Sequence, residues 1–591
     1  MKFLKLSFLT IATLAFAACT SNDDATEQAS KLENGGSVKI NISLPQTTTT
    51  RAAIEPPFDD GSANEYNVKS ADIALYANVG GTITCVGVQH FGKDELQFSM
   101  VGTSTDNITS MSAIVKLPSQ AITPTLALAI VNDCEGCSVP TVGQAYSDFV
   151  KAASAPKVGI SDDGYFMMTN SVYAVTNGSN QEKKDLQPID PQSISRNQNT
   201  IPTSSTTIYV ERVNAKVQVK MDLANEATYA STYPLDGTTG LPTITFKNND
   251  VLVVDGWDLT VTNKTYYPVK QFTNDDVTDW NTAANYQMYN LWNSETNYRS
   301  YWAVDPNYKK ADYTGTNNFL GMLTEFNYKS FNDIKAKASD IKYCLENTFD
   351  VADQNKNQTT AVILRGTYQL AGQPANQDIY AIQSKAYNPT DAKSYLASRL
   401  NAAGFKCAGA AIDGAKITIS ADATTNVVSF TYSDGNFTDT GGATKTITEA
   451  IAVTFGSKKA VKFYPGGKCF YTIQIKNFGD NVKLYDAGGT YFVYNGKSGI
   501  NSADKLGRYG VVRNTWYILT INSISGLGSP APVNPDQPIN PDPNYPNPND
   551  PTNPDDPTNP NNPTPDDTEN YYIAAQIKIL PWAIRTQGAD L

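Results

Sequence analysis

Residues 571–591 read YYIAAQIKILPWAIRTQGADL, and this closing stretch has the pattern of a single β-strand. Apolar side chains occupy alternate positions: Tyr571, Ile573, Ala575, Ile577 and Ile579. A period of two with one apolar face predicts a half-buried strand. A lone strand of this kind is not stable in water. It must therefore pair with another segment, either of its own chain or of a neighbouring one.

The strand follows a long tract, residues 529–569, that is dominated by Pro, Asn and Asp. Proline restricts helix and ladder hydrogen bonds, and Asn and Asp favour turns, so the tract predicts a solvated spacer. At about 3.1 Å per residue in a polyproline-like conformation, it could reach roughly 120 Å. The terminal strand thus lies at the end of a tether long enough to cross a domain.

A second stretch with the same face lies near the other end, where residues 37–45 read SVKINISLP. Val38, Ile40, Ile42 and Leu44 alternate with polar residues, and both stretches end in Leu-Pro. The chain therefore carries nearly the same docking face at its two ends.

A loop, TTTTRAA at residues 47–53, follows this first strand and holds Arg51. Such a polar segment predicts an open, protease-accessible loop. A trypsin-like or Arg-specific protease could cut between Arg51 and Ala52 and free the first strand. The residues alone favour the other interpretation, that Arg51 is an ordinary solvated loop residue.

Residues 1–18 have the pattern of an export signal. Lys2 and Lys5 precede a short apolar run, and Ala17-Ala18-Cys19 follows it. This is a bacterial lipobox except at Phe16, so lipidation at Cys19 is predicted. Ordinary signal-peptidase cleavage after Ala18 is the alternative.

The bulk of the chain predicts an all-β protein with some short helices. The 591 residues are enough for two or three domains, and alternating Thr, Val, Ile and Tyr predict many short strands. The net charge of −12 and the absence of a basic run argue against nucleic acid as a partner. Over residues 207–221 the apolar parity changes at Glu211-Arg212, which predicts a bulge or a strand that passes between two sheets. The predicted divisions are a signal peptide 1–18, a propeptide 19–51, β-rich domains 52–212 and 213–528, a linker 529–569 and a terminal strand 570–591.

Local patterns predict a few helices within this β-rich chain, at residues 144–155, 334–346 and 389–403. Residues 450–455 predict a strand, and Trp257 is expected in a core.

The chemistry-bearing residues predict neither an enzyme nor a metal or cofactor site. His90 is the sole histidine and is expected in a loop or at a strand end. Cys134 and Cys137 form a CxxC with no second pair at zinc spacing, which favours a local disulfide or two inert thiols. Acidic pairs such as Asp162-Asp163 predict turns.

Aromatic residues offer a different function, a surface lipoprotein that binds glycans by ring stacking. The candidate platforms are Tyr266, Tyr267, Trp280, Trp292, Tyr301 and Trp302. Such clusters are more often loop packing than sugar sites.

Several motifs occur together along the chain: the lipobox, Arg51 after a first strand, VERVNAKV at 210–217, VVRNTWY at 511–517 and ILPW at 579–582. With them the chain resembles the Bacteroidetes fimbrillins, the stalk subunits of type V pili. Within that family the match is to the major subunit of the short, or minor, fimbriae of Porphyromonas. The resemblance is strong at both ends and weak over residues 222–460.

The resemblance implies two tandem transthyretin-like β-sandwich domains, a C-terminal donor strand and assembly by strand exchange. It implies lipidation at Cys19, protease cleavage between Arg51 and Ala52, and removal of the first strand. The displaced strand maps onto Val38, Ile40, Ile42 and Leu44. The donor strand maps onto Ile573, Ala575, Ile577, Ile579, Leu580 and Trp582.

The resemblance also implies the partners of the chain. These are further copies of itself in a head-to-tail filament, accessory tip and anchor fimbrial subunits, and an arginine-specific surface protease. The lipidated precursor would be held in the outer membrane, and the mature subunit would lie in a cell-surface fimbria that supports adhesion and biofilm formation.

Overall fold

The computed structural model describes residues 36–43, 65–100, 108–117, 122–154, 156–177, 180–197, 200–223, 240–271, 297–299, 303–308, 325–337, 340–348, 358–383, 385–422, 427–456, 460–477, 483–485, 491–493, 509–524, 526–532 and 573–581. The prediction of an all-β fold with a few short helices is confirmed.

The strands of the N-terminal part are β1 (Ser37–Ser43), β2 (Ser70–Val79), β3 (Thr82–Gly92), β4 (Gln97–Met100), β5 (Ile108–Lys116), β6 (Leu126–Val131), β7 (Ala153–Ser154), β8 (Met168–Asn170), β9 (Tyr173–Asn177), β10 (Asn180–Lys184), β11 (Gln187–Pro188), β12 (Ile194–Ser195) and β13 (Thr206–Arg212). Those that follow are β14 (Asn214–Met221), β15 (Thr243–Thr245), β16 (Val251–Thr260), β17 (Thr262–Asn263), β18 (Thr265–Tyr266), β19 (Asn297–Arg299), β20 (Phe326–Asn327), β21 (Ile341–Leu345), β22 (Ala361–Gln369), β23 (Ile379–Ile382), β24 (Lys385–Tyr387), β25 (Ile417–Ala421), β26 (Val428–Tyr432), β27 (Phe437–Thr438), β28 (Thr444–Lys445), β29 (Val461–Tyr464), β30 (Lys468–Gln474), β31 (Lys483–Tyr485), β32 (Tyr491–Val493), β33 (Thr515–Ile524) and β34 (Ile573–Pro581). The α-helices are α1 (Tyr146–Phe149), α2 (Pro389–Ala402) and α3 (Ile447–Phe455).

Ten strands of the N-terminal part form one continuous sheet, in the order β3-β2-β6-β8-β13-β1-β5-β4 with β11 paired to β6 and β12 paired to β1. Strand β13 pairs with β1 through residues 206–209 and with β8 through residues 210–212, so it joins two layers. Buried side chains of β1 and β5 on one layer and of β2 and β6 on the other share a single core. This is the packing of a β-sandwich.

The C-terminal strands form a second sandwich from two four-stranded sheets, β21-β14-β33-β34 and β15-β16-β22-β30. Their facing side chains enclose Trp257, which is fully buried as expected and donates its indole N–H to the carbonyl of Lys337 at 2.5 Å. A separate apolar cluster, drawn from residues 380–463, lies around helices α2 and α3.

The chain passes directly from the first sandwich to the second at Val213, which lies between β13 and β14. Strand β14 then pairs with β21 and β33 instead of the strands of the first sheet. The strand that changes sheets, predicted from the parity change at Glu211-Arg212, is thus present. A third buried cluster packs Val213 with Tyr76 and Leu128 from the first part and with Leu345 and Val512 from the second.

Two local predictions were wrong, and a third, a helix within residues 144–155, is confirmed only in part. Residues 450–455 belong to helix α3 because Thr446 and Glu449 form a capping box at its start and Gly456, at φ 75°, ends it. Within residues 334–346, the chain forms strand β21, whose backbone pairs with β14. Within residues 144–155, only Tyr146–Phe149 is helical. The prediction at residues 389–403 is confirmed by α2.

Candidate functional site

Strand β1 lies in the interior of its sheet and has a neighbour on each side. Residues 40–43 pair in parallel with residues 206–209 of β13, and residues 37–43 pair antiparallel with residues 110–116 of β5. If β1 were removed, it would therefore leave two facing strand edges without a partner. We call the space that β1 occupies the β1 slot.

The apolar face of β1 is completely buried. Val38, Ile40 and Ile42 have no exposed surface, whereas Lys39 and Asn41 are half-buried. At about 1.5–3 kcal/mol for each large apolar side chain, this face contributes roughly 5–9 kcal/mol before ordering costs. The alternation read from the sequence is thus realised, but Leu44 lies outside the described residues.

The start of β1 is fixed by a close backbone approach at Gly36. Its φ is 90°, and a Cβ at this position would lie 2.2 Å from the carbonyl oxygen of Ser195. The Gly36 carbonyl accepts a hydrogen bond from the backbone N–H of Leu117 at 3.0 Å. Only glycine fits this turn without displacement, so β1 has a defined register in its slot.

The processing sites predicted from the sequence are not placed by the structure. Cys19, Arg51 and Ala52 lie outside the described residues. Ser43 is the last described residue before the predicted cleavage loop, and Glu65 is the first described residue after it.

The terminal strand β34 pairs antiparallel with β33 of its own chain. The register places Ile579 opposite Tyr517, Ile577 opposite Leu519 and Ala575 opposite Ile521. Tyr517, Leu519 and Ile521 of β33 are fully buried in the second core. The apolar positions of β34 are therefore paired in register with buried positions of β33.

The two strands predicted to be equivalent therefore have different surroundings. In the described residues β34 is the last strand of its sheet and has one ladder partner, β33, whereas β1 has two. Of the predicted donor positions, 573, 575, 577, 579 and 580 lie in β34, and Trp582 lies outside the described residues. The sequence left the resting place of this strand open, and its pairing with β33 answers that question for this chain.

Glu65, the first described residue after the predicted cleavage loop, is held by a buried ionic cluster. Its carboxylate lies 2.9 Å from Lys216 Nζ and accepts a hydrogen bond from Tyr343 Oη at 2.5 Å. Its carbonyl accepts from Arg212 Nε at 2.8 Å. Burial, and then the adjacent Glu65 carboxylate, raise the pKa of the Tyr343 hydroxyl well above its usual range. The chain is thereby fixed at the junction of the two sandwiches.

Further buried pairs line the same junction. Lys270 lies 2.9 Å from Glu211, and Arg513 Nε donates to Glu346 at 3.2 Å. Sequence reasoning missed this cluster. The available signal was the presence of Glu211, Arg212 and Lys216 within one short run of predicted strand residues.

Asp305 gives this junction a pH dependence. It accepts hydrogen bonds from the backbone N–H groups of Asn307 and Thr348 and from Asn263 Nδ2, and burial raises its pKa to about 7. The folded-state pKa is above the unfolded value of 3.8, so the folded state holds a proton that the unfolded chain releases. The resulting stability is complete below about pH 4 and is lost as the pH rises through about 7.

We expect Asp305→Asn to remove this contribution. The free energy of unfolding of the wild type, relative to the variant, should fall by about 1.4 kcal/mol per pH unit between pH 5 and 7. Urea unfolding at several pH values measures it, with Asp148→Asn, an exposed carboxylate, as the control. Parallel pH profiles for wild type and Asp305→Asn would contradict the assignment.

The structure does not support Tyr266, the first of the aromatic residues considered for glycan binding, as a surface for ring stacking. Tyr266 is buried, 1% exposed, with its hydroxyl 3.7 Å from Met167 Sδ. Tyr267 is half-buried, and the other four aromatic residues lie outside the described residues. Tyr266 therefore serves packing.

The predicted local disulfide is present between Cys134 and Cys137. Four other cysteines are free and buried: Cys85, Cys344, Cys407 and Cys469. The described helices include none that is both long and apolar enough to span a membrane.

Residues 462–588 match the family model described as major fimbrial subunit protein type IV, fimbrillin, C-terminal. The matched range begins in β29 and ends beyond β34, so it includes the β33–β34 pair and the tract between them. Over this region the chain is similar to the C-terminal part of fimbrillins. A comparison with curated proteins finds no match.

Several solved structures have some similarity to this chain. A cell adhesion protein from Parabacteroides distasonis has 9% identity and a TM-score of 0.35, with 94% of this chain and 100% of that chain covered. A cell adhesion protein from Bacteroides eggerthii has 10% identity and a TM-score of 0.33, with 93% and 97% covered. A fimbrial assembly protein from Parabacteroides distasonis has 9% identity and a TM-score of 0.26, with 69% and 98% covered. At such TM-scores these likenesses add nothing to the fold described above.

Proposed function

We propose that this chain is a structural subunit of a cell-surface fimbria of the type V pilus kind, polymerised by strand exchange. The observation that carries the proposal is the position of β1, an N-terminal strand with a fully buried apolar face and a ladder partner on each side. The segment that connects it to Glu65 holds Arg51. The fimbrillin match over residues 462–588 supports the same function.

In this proposal the lipidated precursor, attached at Cys19, is cut between Arg51 and Ala52 by an arginine-specific surface protease. Before the cut, β1 is part of its own chain and competes at a high effective concentration against any strand from another molecule. After the cut, β1 is held only by its buried face and its two ladders, and it can be lost irreversibly by dilution. Proteolysis is therefore the trigger, and β1 is what protects the slot until then.

The incoming strand is β34 of the next subunit. When β34 is paired within its own chain, it has one ladder partner, whereas the β1 slot offers two. Transfer of β34 into the slot of the next subunit would therefore add a second row of backbone hydrogen bonds. Its apolar positions at 573, 575, 577 and 579 have the period-two spacing of Val38, Ile40 and Ile42. The exchange thus replaces one Ile-rich strand by another and leaves the core of the slot filled.

The Pro/Asn/Asp tract delivers the strand in this proposal. With roughly 120 Å of possible reach, it allows β34 to leave β33 and enter a neighbouring subunit. Because the donor and the slot are different surfaces of one chain, the contact is heterologous and does not close by itself. It therefore generates an open head-to-tail filament.

The remaining features of the proposal follow from the resemblance of the sequence. The filament would be of the short-fimbria type of Porphyromonas, with accessory tip and anchor subunits, and would support adhesion and biofilm formation. The role is structural and not enzymatic.

Replacement of Arg51 tests the trigger. We expect Arg51→Ala to remain an uncut monomer after treatment with trypsin or an Arg-specific protease, because no scissile bond remains in the loop. Wild-type protein should give SDS-resistant ladders and a mature N-terminus at Ala52, read by N-terminal sequencing.

Arg51→Lys is the matched control for this experiment. It should be cut and polymerise with trypsin but not with the Arg-specific protease, which separates cleavage from any direct role of the arginine side chain. Normal filaments from Arg51→Ala would refute the proposed trigger.

A further inference from the structure

Three chemistry-bearing residues meet at one end of the first sheet, away from the β1 slot. Asp72 in β2 lies directly opposite His90 in β3, the sole histidine of the chain. Asp133 follows the end of β6, which pairs with the other edge of β2. The three residues therefore come from adjacent strands whose order is fixed by the sheet.

The turn that carries Asp133 is fixed by its neighbour Asn132. Asn132 has a φ of 54°, accepts from the backbone N–H of Lys69 at 2.7 Å, and donates to the carbonyls of Asn67 and Phe166. Asp133 Oδ1 also accepts from Ser70 Oγ at 3.3 Å. The position of Asp133 is thus defined by the structure around it.

The ligand atoms are close enough to share one ion. His90 Nδ1 lies 3.0 Å from Asp72 Oδ1, and one N or O atom from each of the three residues lies within 4.8 Å of the others. Bonds of about 2.0–2.2 Å to a tetrahedral ion place donor atoms roughly 3.3–3.6 Å apart. Small side-chain rotations of the exposed His90 and Asp133 would bring the set to that spacing.

A second observation points to a ligand at this place. The side chain of Asp72 is only 8% exposed, and its Oδ2 atom is buried without a hydrogen-bond partner among the described residues. A buried carboxylate oxygen that lacks a hydrogen-bond partner is destabilising. A bound cation would supply the missing interaction. The side chain of His90 is 57% exposed, so solvent can complete the coordination.

We propose that Asp72, His90 and Asp133 form a site for a divalent transition-metal ion, with Zn²⁺ as the best fit. Imidazole nitrogen combined with carboxylate oxygens suits Zn²⁺, whereas Ca²⁺ takes oxygen ligands almost exclusively. The ion would join strands β2 and β3 to the turn after β6, and so stabilise the end of the first sheet. The sequence prediction of no metal site considered His90 in isolation.

Calorimetric titration of the tag-free full chain with zinc chloride tests the site. We expect one Zn²⁺ per chain with micromolar affinity, and at least tenfold weaker binding of Ca²⁺. Because the chain has one histidine, its ring resonances in NMR spectra report on His90 alone and should shift with the same midpoint.

His90→Asn and Asp133→Asn should each weaken Zn²⁺ binding at least tenfold. Both side chains are exposed, so the fold should tolerate the changes. Asp163→Asn, which alters a nearby exposed carboxylate paired with Lys69, should bind Zn²⁺ like the wild type. The proposal fails if Zn²⁺ does not bind, if His90→Asn binds it unchanged, or if the histidine resonances stay still on saturation.

Discussion

Deletion of residues 571–591 is expected to abolish polymer formation completely while leaving cleavage after Arg51 intact. The deletion removes β34, the strand proposed to fill the β1 slot of the next subunit. In the described residues β34 is the last strand of its sheet, so β33 keeps its other neighbour, β14. The second sandwich should therefore still fold. After protease treatment, unboiled samples on SDS gels should show only the monomer, and light scattering should confirm one chain per particle.

Substitutions within β34 refine this test. Ile577→Asp and Ile579→Asp place a charge at positions opposite the buried Leu519 and Tyr517, and both should block polymerisation. Gln576→Asp, at an alternate position, is the matched control and should polymerise. SDS-resistant ladders from the deletion variant would refute the donor assignment, even if Arg51 proved to be the cleavage site.

Lys216→Met is expected to lower the free energy of unfolding by about 3–5 kcal/mol, because it leaves the buried Glu65 carboxylate without its cation. Lys216 and Glu65 have side chains 2% and 0% exposed. The Lys216 ammonium also lies 3.8 Å from the centre of the Trp516 ring, so its loss removes a cation–π contact. Chemical denaturation followed by tryptophan fluorescence measures the change.

Two comparisons isolate the cause. Glu65→Gln combined with Lys216→Met should recover much of the loss, because the double variant removes both charges of the buried ion pair. Lys416→Met removes an ion pair with Asp434 in which both side chains are more than 40% exposed, and it should lower stability far less. If Lys216→Met and Lys416→Met lowered the free energy of unfolding equally, the buried Lys216–Glu65 pair would contribute no more than an exposed ion pair.

Local patterns predicted those elements whose burial follows directly from alternation. The β1 strand, the change of sheet near Val213 and the burial of Trp257 all follow from side-chain period and size. Prediction failed for α3, where the apolar run at 450–455 fits a buried strand or a helix equally well. The deciding signals were Thr446 and Gly456 at its ends.

The site features that sequence reasoning missed depend on pairing between distant segments. Nothing local to Glu65 indicates that Lys216 lies beside it, and nothing near His90 indicates Asp133. The alternation of residues 571–579 predicted a strand and its face, but not that β33 is its neighbour, because register and partner are set by the whole sheet. The residue types can be read from the sequence, whereas the contacts between distant residues cannot.

The uninterrupted passage from β13 through Val213 to β14 has a mechanical consequence for a filament built as proposed. A pull on a donor strand seated in the β1 slot would act on β13, pass along the backbone into β14, and reach β33 through their parallel ladder. Because the force runs along the strands, it loads many backbone hydrogen bonds together instead of opening them one at a time. The buried ion pairs at the junction would resist hinge motion between the two sandwiches. Such a subunit would transmit tension with little extension.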